Sequence, residues 1–477
     1  MTSPPGSISI SSCTCKEGYY PDYANPSLCV QCAQGIACPG NNVVNILPGY
    51  WRANDHTAAV VACPDTSISC GGTSSANTTT SLGCNAGYTG PVCAVCEDGY
   101  AKQENNCVKC PPTPLNGFAV FVFVVLAIAF AYFPIYSAAS VANDATKHNE
   151  AGVIVKVMLT YMQCLYYLGR LSANWGRLSQ DFFSAVGVVF AMSPNSYNIH
   201  CASNWKFYDS LIFAYVSPLI VVTILTITYS IRHIVRGLDV KQSKTDYKRA
   251  VLVLLYQIHP TIMLEVINSF PCDAVPGTGT SYLKADFSID CKSSRYKTFA
   301  TISALYLVFY IVGMIVLVVF RLRHHHSLSN LESPTDAAYQ RFSFFFLGYQ
   351  RNLYFWESII MMRKIGIVAF SVLASPPLQL VFGLVIITIA SHLNVIYSPY
   401  VSATVNRLDT FALAILFSTV VLGELYLFAR GDNKWIGVLL IIINTATMAV
   451  FLGSCAGMVR AYFRTSSSTT NKEMSNM

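Results

Sequence analysis

The chain has 477 residues, of which 53% are hydrophobic and only 12% charged, and its mean hydropathy is +0.44. A soluble globular domain carries about 25% charged residues, so one ordinary soluble globule is excluded and a membrane location is required. Residues 1–112 hold 4 Lys/Arg against 7 Asp/Glu and the remainder 27 against 17, so the basic excess lies in the apolar part, where it marks topology rather than affinity for nucleic acid.

Twelve of the 17 cysteines fall in the first 112 residues: Cys13, Cys15, Cys29, Cys32, Cys38, Cys63, Cys70, Cys84, Cys93, Cys96, Cys107 and Cys110. This segment (1–112) is rich in Gly, Asn, Thr and Pro and poor in aliphatic residues, so it buries too little core to offset chain entropy without crosslinks. The even count predicts six disulfides within it, and disulfides persist in an oxidising compartment. Cys29-x-x-Cys32, Cys93-x-x-Cys96 and Cys107-x-x-Cys110 also have the spacing of zinc-ligand pairs. Because the segment leads into membrane helices and carries the sequon Asn77-Thr78-Thr79, a disulfide-rich, glycosylated surface domain without metal is the preferred reading. Such a domain recognises or shields, and an extracellular ligand or matrix is the partner it suits.

The run Cys13-x-Cys15-x-x-Gly18-Tyr19-Tyr20 with Cys29-x-x-Cys32 resembles the ephrin-receptor-like cysteine repeats of protist and algal surface proteins. The run from Cys84 through Gly87-Tyr88-Thr89-Gly90 to Cys110 is similar to EGF or laminin-EGF repeats. Met1-Thr-Ser-Pro-Pro-Gly has neither a basic flank nor an apolar core. Two routes of export stay open: a start lying upstream, or a first membrane helix that carries the preceding segment across.

Apolar windows of spanning length occur near 117–139, 152–169, 207–231, 249–270, 298–320, 354–374, 377–397, 408–429 and 436–459. At roughly 20 residues per span, residues 113–460 form about nine helices. The fold class is thus an all-α polytopic bundle preceded by a small disulfide-rich β/loop ectodomain. The piece 182–192 is too short to cross and lies on or dips into the membrane. Nine spans place the two ends on opposite sides, so an amino-terminal domain outside requires the 461–477 tail in the cytosol, at the plasma membrane or another secretory-pathway membrane. Six Lys/Arg between Arg232 and Arg249, and four between Arg321 and Arg351, then fall inside, as the positive-inside rule requires. Cys201, Cys272 and Cys291 fall in outward loops. Cys272 and Cys291 flank one loop as a disulfide pair, which leaves Cys201 odd; Cys164 and Cys455 are packing residues within helices.

Charged groups at membrane depth are candidate functional residues because burying them is costly. Glu265 lies about three quarters of the way along the fourth window and Glu424 at a similar depth in the eighth, where the two carboxylates could attract cations at one level of a water-filled path. Arg363 and Lys364 lie near the middle of the sixth window, and Glu357 shares a helix face with Lys364, two turns away. The alternative is that these charges pair and lock the bundle. Lys156 and Asp209, near helix ends, are read as snorkelling to water. His259-Pro260 and His392 with Asn394 are read as hydrogen-bonded structural groups. No catalytic set, cofactor motif or metal motif is present, no helix carries arginine at every third position, and the expectation is not an enzyme.

The runs Gln257-Ile-His-Pro260, Phe270-Pro-Cys272, Tyr349 with Tyr354-Phe-Trp356-Glu357, and Tyr397-Ser-Pro-Tyr400 resemble the multi-pass region attached to cysteine repeats in protist, oomycete and algal proteins. That region is similar to the TRP-like and flavin-carrier membrane proteins of fungi. The resemblance implies a polycystin-like cation channel, calcium included, or a carrier of lipid or cofactor. The fungal proteins carry a lipid-binding amino-terminal domain where this chain has cysteine repeats. The expectation is a cell-surface TRP-like cation channel or sensor in the lipid bilayer, with a homo-oligomer left open as one assembly. An adhesion or signalling receptor with a multi-pass anchor, or a transporter, is the alternative.

Overall fold

The computed structural model describes residues 14–112 apart from 24, 26–27, 55–58, 64–68, 74–82 and 104–105. It also describes 121, 125 and 149–475 apart from 172–174, 192–200, 202–204, 237–239, 328–335 and 429–433. Cys13, the Asn77 sequon and all of the 117–139 window except Phe121 and Val125 lie outside the described residues.

The chain divides into two compact units. The first combines Met1–Val120 with Asn195–Asp209 and Asn268–Ile302. Its strands are short because the sequence alternates apolar residues with turn-forming glycines too often to sustain longer ones. They are β1 (Tyr19–Pro21), β2 (Cys29–Gln31), β3 (Ile36–Gly40), β4 (Val43–Ile46), β5 (Tyr50–Arg52), β6 (Val60–Ala62), β7 (Tyr88–Thr89), β8 (Val95–Cys96), β9 (Tyr100–Gln103) and β10 (Asn106–Lys109). They pair as five antiparallel two-stranded sheets, β1 with β2 through to β9 with β10. Such isolated hairpins are at best marginally stable on their own, and disulfides supply the missing constraint.

Five bridges join cysteines that follow one another along the chain: Cys15–Cys29, Cys32–Cys38, Cys63–Cys70, Cys84–Cys93 and Cys96–Cys107. The sixth corrects the expectation that the amino-terminal cysteines pair only among themselves. Cys110 pairs with Cys201, 91 residues on, so Cys201 is not odd. Cys272 pairs with Cys291, as the sequence suggested. That last bridge staples a three-stranded antiparallel sheet of β11 (Cys272–Ala274), β12 (Ser281–Leu283) and β13 (Asp286–Asp290). The sheet completes the core of the first unit: Val275 and Phe287 pack with Trp51, Tyr88, Val92 and four half-cystines. Lys102 Nζ donates to the Ala285 carbonyl at 3.0 Å. The first unit is therefore assembled from three separate stretches of chain, and Val275 and Phe287 of the last stretch help to close its core.

The second unit is helical. In chain order it contains α1 (Asn149–Gly169), α2 (Arg177–Val186) with a π-helical turn at Gly187–Ala191, and most of α3 (Phe207–Arg236), followed by α4 (Val240–Ile267). α5 (Ser294–Tyr306) begins in the first unit and runs through a second π-helical turn, Leu307–Val312, into α6 (Gly313–Ser327). Then come α7 (Ala337–Phe346), α8 (Trp356–Leu373), α9 (Pro376–Tyr397), α10 (Ala403–Phe428) and α11 (Lys434–Ser475).

Seven helical stretches among the described residues are long and apolar enough to cross a membrane: Glu150–Gly169, Phe207–Ile231, Lys244–Ile267, Ser294–His326, Pro377–Tyr397, Ala403–Phe428 and Lys434–Gly457. The chain is a membrane protein. The ninefold count expected from the sequence is met only in part. The 354–374 window is a helix, α8, but its three charges, Glu357, Arg363 and Lys364, set it apart from the other seven. The 182–192 piece forms the carboxy-terminal part of α2 and its π turn. Residues beyond 460 continue α11 as far as Ser475.

Burial sorts the helices into two kinds. The Glu150–Gly169 span of α1 is 89% buried and the Lys244–Ile267 span of α4 is 83% buried, whereas the other five are 17% to 33% buried. α1 packs on α2, α8, α10 and α11, and α4 on α7 and α8. Enclosed on all sides by protein, these two helices can carry polar side chains that a lipid-facing helix could not.

Candidate functional site

Those polar side chains converge inside the second unit. α1 contributes Lys156, Thr160 and Gln163, and α4 contributes Gln257, His259, Thr261 and Glu265. α8 contributes Glu357, Arg363 and Lys364, and α10 contributes Asp409 and Thr419; all are buried.

The centre is the Glu357 carboxylate, fully buried in the first turn of α8. Lys156 Nζ lies 2.8 Å from Oε2. Tyr349 donates its hydroxyl to Oε2 at 2.7 Å, and Tyr256 donates to Oε1. Lys156 also donates to the Phe344 carbonyl at 3.0 Å and lies 4.3 Å from the Tyr349 ring centre. One carboxylate thus ties α1, α4, the end of α7 and the loop after it to α8. A charge-assisted set of this kind is needed to offset the desolvation of both ions. Lys156 is 7% exposed, which corrects its reading as a snorkelling lysine: α1 is enclosed by other helices, so its ammonium has no water to reach and takes a carboxylate instead.

Lys364 is 1% exposed and donates to Gln163 Oε1 at 2.9 Å. It lies 5.2 Å from the centre of the Tyr256 ring. Gln163 Nε2 in turn donates to the Gln257 carbonyl at 3.0 Å and to the Phe190 carbonyl at 3.2 Å. Of these acceptors, Phe190 belongs to the first π-helical turn, and Gln257 lies in the turn of α4 that precedes Pro260. Thr261 donates to Ala191 O of the same turn at 2.6 Å and shares a 3.0 Å hydrogen bond with Tyr167. His259 Nε2 reaches Ile311 O of the second π-helical turn at 3.0 Å. α4 is thus held to both π turns by side-chain hydrogen bonds.

A second polar group lies among α8, α10 and the loop before α10. Asp409 is 4% exposed and lies within electrostatic reach of Arg363 and the Tyr400 hydroxyl. Tyr349 and Tyr400 form an isolated β-bridge, their rings 5.0 Å apart, linking this group to Glu357. A third contact joins α1, α10 and α11: Tyr161 donates to Asn444 Oδ1 at 2.5 Å, and Asn444 Nδ2 donates to Thr419 at 3.1 Å.

The structure therefore brings Glu357 and Lys364 into one network with Lys156 and leaves Arg363 within electrostatic reach of Asp409. Glu265 is 2% exposed near the carboxy-terminal end of α4, and Glu424 is half-buried near the end of α10. Their helices have different principal neighbours, α7 and α8 for α4, and α1, α9 and α11 for α10. Asp209 accepts from the Lys206 backbone N–H at 3.0 Å in an exposed turn. Sequence reasoning missed Asp409, Gln163 and Tyr256. Asp409 sits at the edge of its apolar window, and glutamine and tyrosine carry no charge to draw notice; only Tyr349 and Tyr400 stood in the quoted runs. No group of three His, Cys, Asp or Glu able to hold a metal occurs among the described residues. No protein-family model, curated protein or solved structure matches the chain.

Proposed function

We propose that the chain is a cell-surface sensor whose disulfide-linked ectodomain controls a cation pathway, calcium included, in the manner of TRP-like proteins. One observation carries this reading: the ectodomain contains Asn195–Asp209 and Asn268–Ile302 in the same compact unit as the amino-terminal segment. Asn195–Asp209 leads directly into α3, and Asn268–Ile302 joins α4 to α5. The bridge Cys110–Cys201 and the shared core around Trp51 and Phe287 mean that ligand or load acting on the ectodomain acts on the ends of three membrane helices. A module that only recognised a partner would need a single tether.

The same bridges support an outward, oxidising location for these segments, with the 232–249 and 321–351 stretches and the tail in the cytosol. Within the membrane, the interior around Lys156, Arg363 and Lys364 is too basic to conduct cations. Glu265 and Glu424 are the carboxylates assigned to the cation path. The closed hydrogen bonding around Glu357 favours a second reading, a receptor whose helices transmit without conducting.

Purified protein in liposomes loaded with a calcium-sensitive dye tests the choice. Calcium entry under membrane tension that falls at least several-fold in Glu265→Gln or Glu424→Gln supports the channel and its site. Flux unchanged in both variants removes the site, and absence of flux from folded protein leaves the receptor.

A further inference from the structure

A cleft opens between α4, α6 and α8. It is lined by Tyr256 and His259 from α4, Met314 and Val318 from α6, and Glu357 and Met361 from α8, among others. The cleft is small, with a cavity volume of about 20 Å³, which admits about one group the size of a water or a hydroxyl. Its walls are mostly apolar, and methionine lets such walls adapt to a guest.

One polar group in it lacks a partner. His259 is 0% exposed, and its Nδ1 has no hydrogen-bond partner among the described residues. Its Nε2 is engaged with the Ile311 carbonyl, and because a carbonyl can only accept, Nε2 carries the proton. In the neutral ring Nδ1 is then an acceptor without a donor, and leaving such a group buried costs stability. The one carboxylate in the cleft does not supply a donor: Glu357 already accepts from Lys156, Tyr349 and Tyr256.

The missing donor has a definite chemistry. An anionic head group would meet the Glu357 carboxylate, and a cationic one would meet Lys156 and Lys364 behind it. A phosphocholine head offers no hydrogen-bond donor. A neutral hydroxyl on an apolar body fits both the acceptor and the walls. The medium supplies such molecules, since the Ser294–His326 span that includes α6 is only 17% buried and Val312, Val316 and Phe320 are exposed on it. We propose that this cleft binds the hydroxyl end of a neutral membrane lipid, with His259 Nδ1 accepting the hydroxyl proton and the rest of the lipid lying along α6.

Diacylglycerol and sterols share this chemistry, and the experiment separates them. The full chain in phosphatidylcholine nanodiscs is photolabelled with diazirine-bearing diacylglycerol, sterol or phosphatidylcholine, and labelled peptides are identified by mass spectrometry. At least one hydroxyl probe is expected to label the Met314–Val318 or Ser358–Met361 segment about tenfold more than the phosphatidylcholine probe, with excess unlabelled hydroxyl lipid competing. Met314→Trp, which fills the cleft from a half-buried position, should lower that labelling at least fivefold. His259→Phe should do the same, and competition in the unmutated chain decides the matter if that variant misfolds. Labelling of these segments by all three probes alike, labelling indifferent to competition and to Met314→Trp, or no labelling there overturns the proposal. Preference for one hydroxyl probe identifies the source.

Discussion

The Lys156 ammonium lies 2.8 Å from the Glu357 carboxylate, with the two side chains 8% and 1% exposed. This pair joins the most enclosed membrane helix, α1, to the one long helix that is too charged to count among the membrane-length seven. Burial among protein explains why α8 can carry three charges: Glu357 and Lys364 bond to side chains of neighbouring elements, and Arg363 lies within electrostatic reach of Asp409.

Removing one member of the pair should be worse than removing both. Glu357→Gln leaves a buried ammonium with only the Phe344 carbonyl and aromatic rings, and Lys156→Met leaves a buried carboxylate with two tyrosine donors. Each single change should cost about 3–5 kcal/mol. Thermal unfolding of the detergent-solubilised chain should show Lys156→Met/Glu357→Gln losing clearly less than the sum; strict additivity would mean that the pair does not interact.

Gln163→Leu should destabilise the same interior by another route. It removes the oxygen that receives Lys364 and the amide that satisfies the Phe190 and Gln257 carbonyls. Buried groups left without partners cost about 1–3 kcal/mol each. Combining it with Lys364→Met should recover part of the loss in the same assay, since the stranded charge is then gone.

Gly348→Ala probes the turn that presents Tyr349 to Glu357. Gly348 has φ +90, and a Cβ there would lie 2.5 Å from Val153 Cγ2 of α1. Backbone strain of this kind costs about 1–3 kcal/mol, with the steric overlap added to it. The double variant Gly348→Ala/Val153→Ala should regain the steric part only. Full recovery would show that the left-handed backbone carries no cost.

Cys110→Ser and Cys201→Ser should have the same effect as each other and as the double variant, because they break one bond. On loop length alone, a bridge across 91 residues restrains the unfolded chain by about 4–5 kcal/mol and one across six by about 2 kcal/mol. Loss of the joined peptide in non-reducing mass spectrometry should accompany protease sensitivity of the 268–302 segment, which stays resistant when Cys32 and Cys38 are replaced. Equal sensitivity in both cases would show that the long bridge has no special part in closing the unit.

Protease added to sealed, right-side-out vesicles should spare the 232–249 stretch and cut it only after permeabilisation. Cleavage from outside would reverse the orientation inferred from the basic loops.

The sequence by itself determined that this is a membrane protein, where seven of its membrane-length helices run, that its amino-terminal part depends on disulfides, and that Glu357, Arg363 and Lys364 are exceptional. Those features are local: hydropathy over about 20 residues, cysteine density and charge in an apolar window each follow from composition along a short stretch. Only the tertiary structure decided that Cys110 belongs with Cys201, that Val275 and Phe287 complete the core around Trp51, and that Lys156 is buried. It also supplied Asp409 within electrostatic reach of Arg363 and Gln163 as the acceptor for Lys364. Pairing depends on which distant segments meet, and the cost of a buried charge depends on whether its helix faces lipid or protein. Hydropathy treats α1 and α3 as the same kind of helix. Packing makes one an enclosed polar axis and leaves the other mostly exposed.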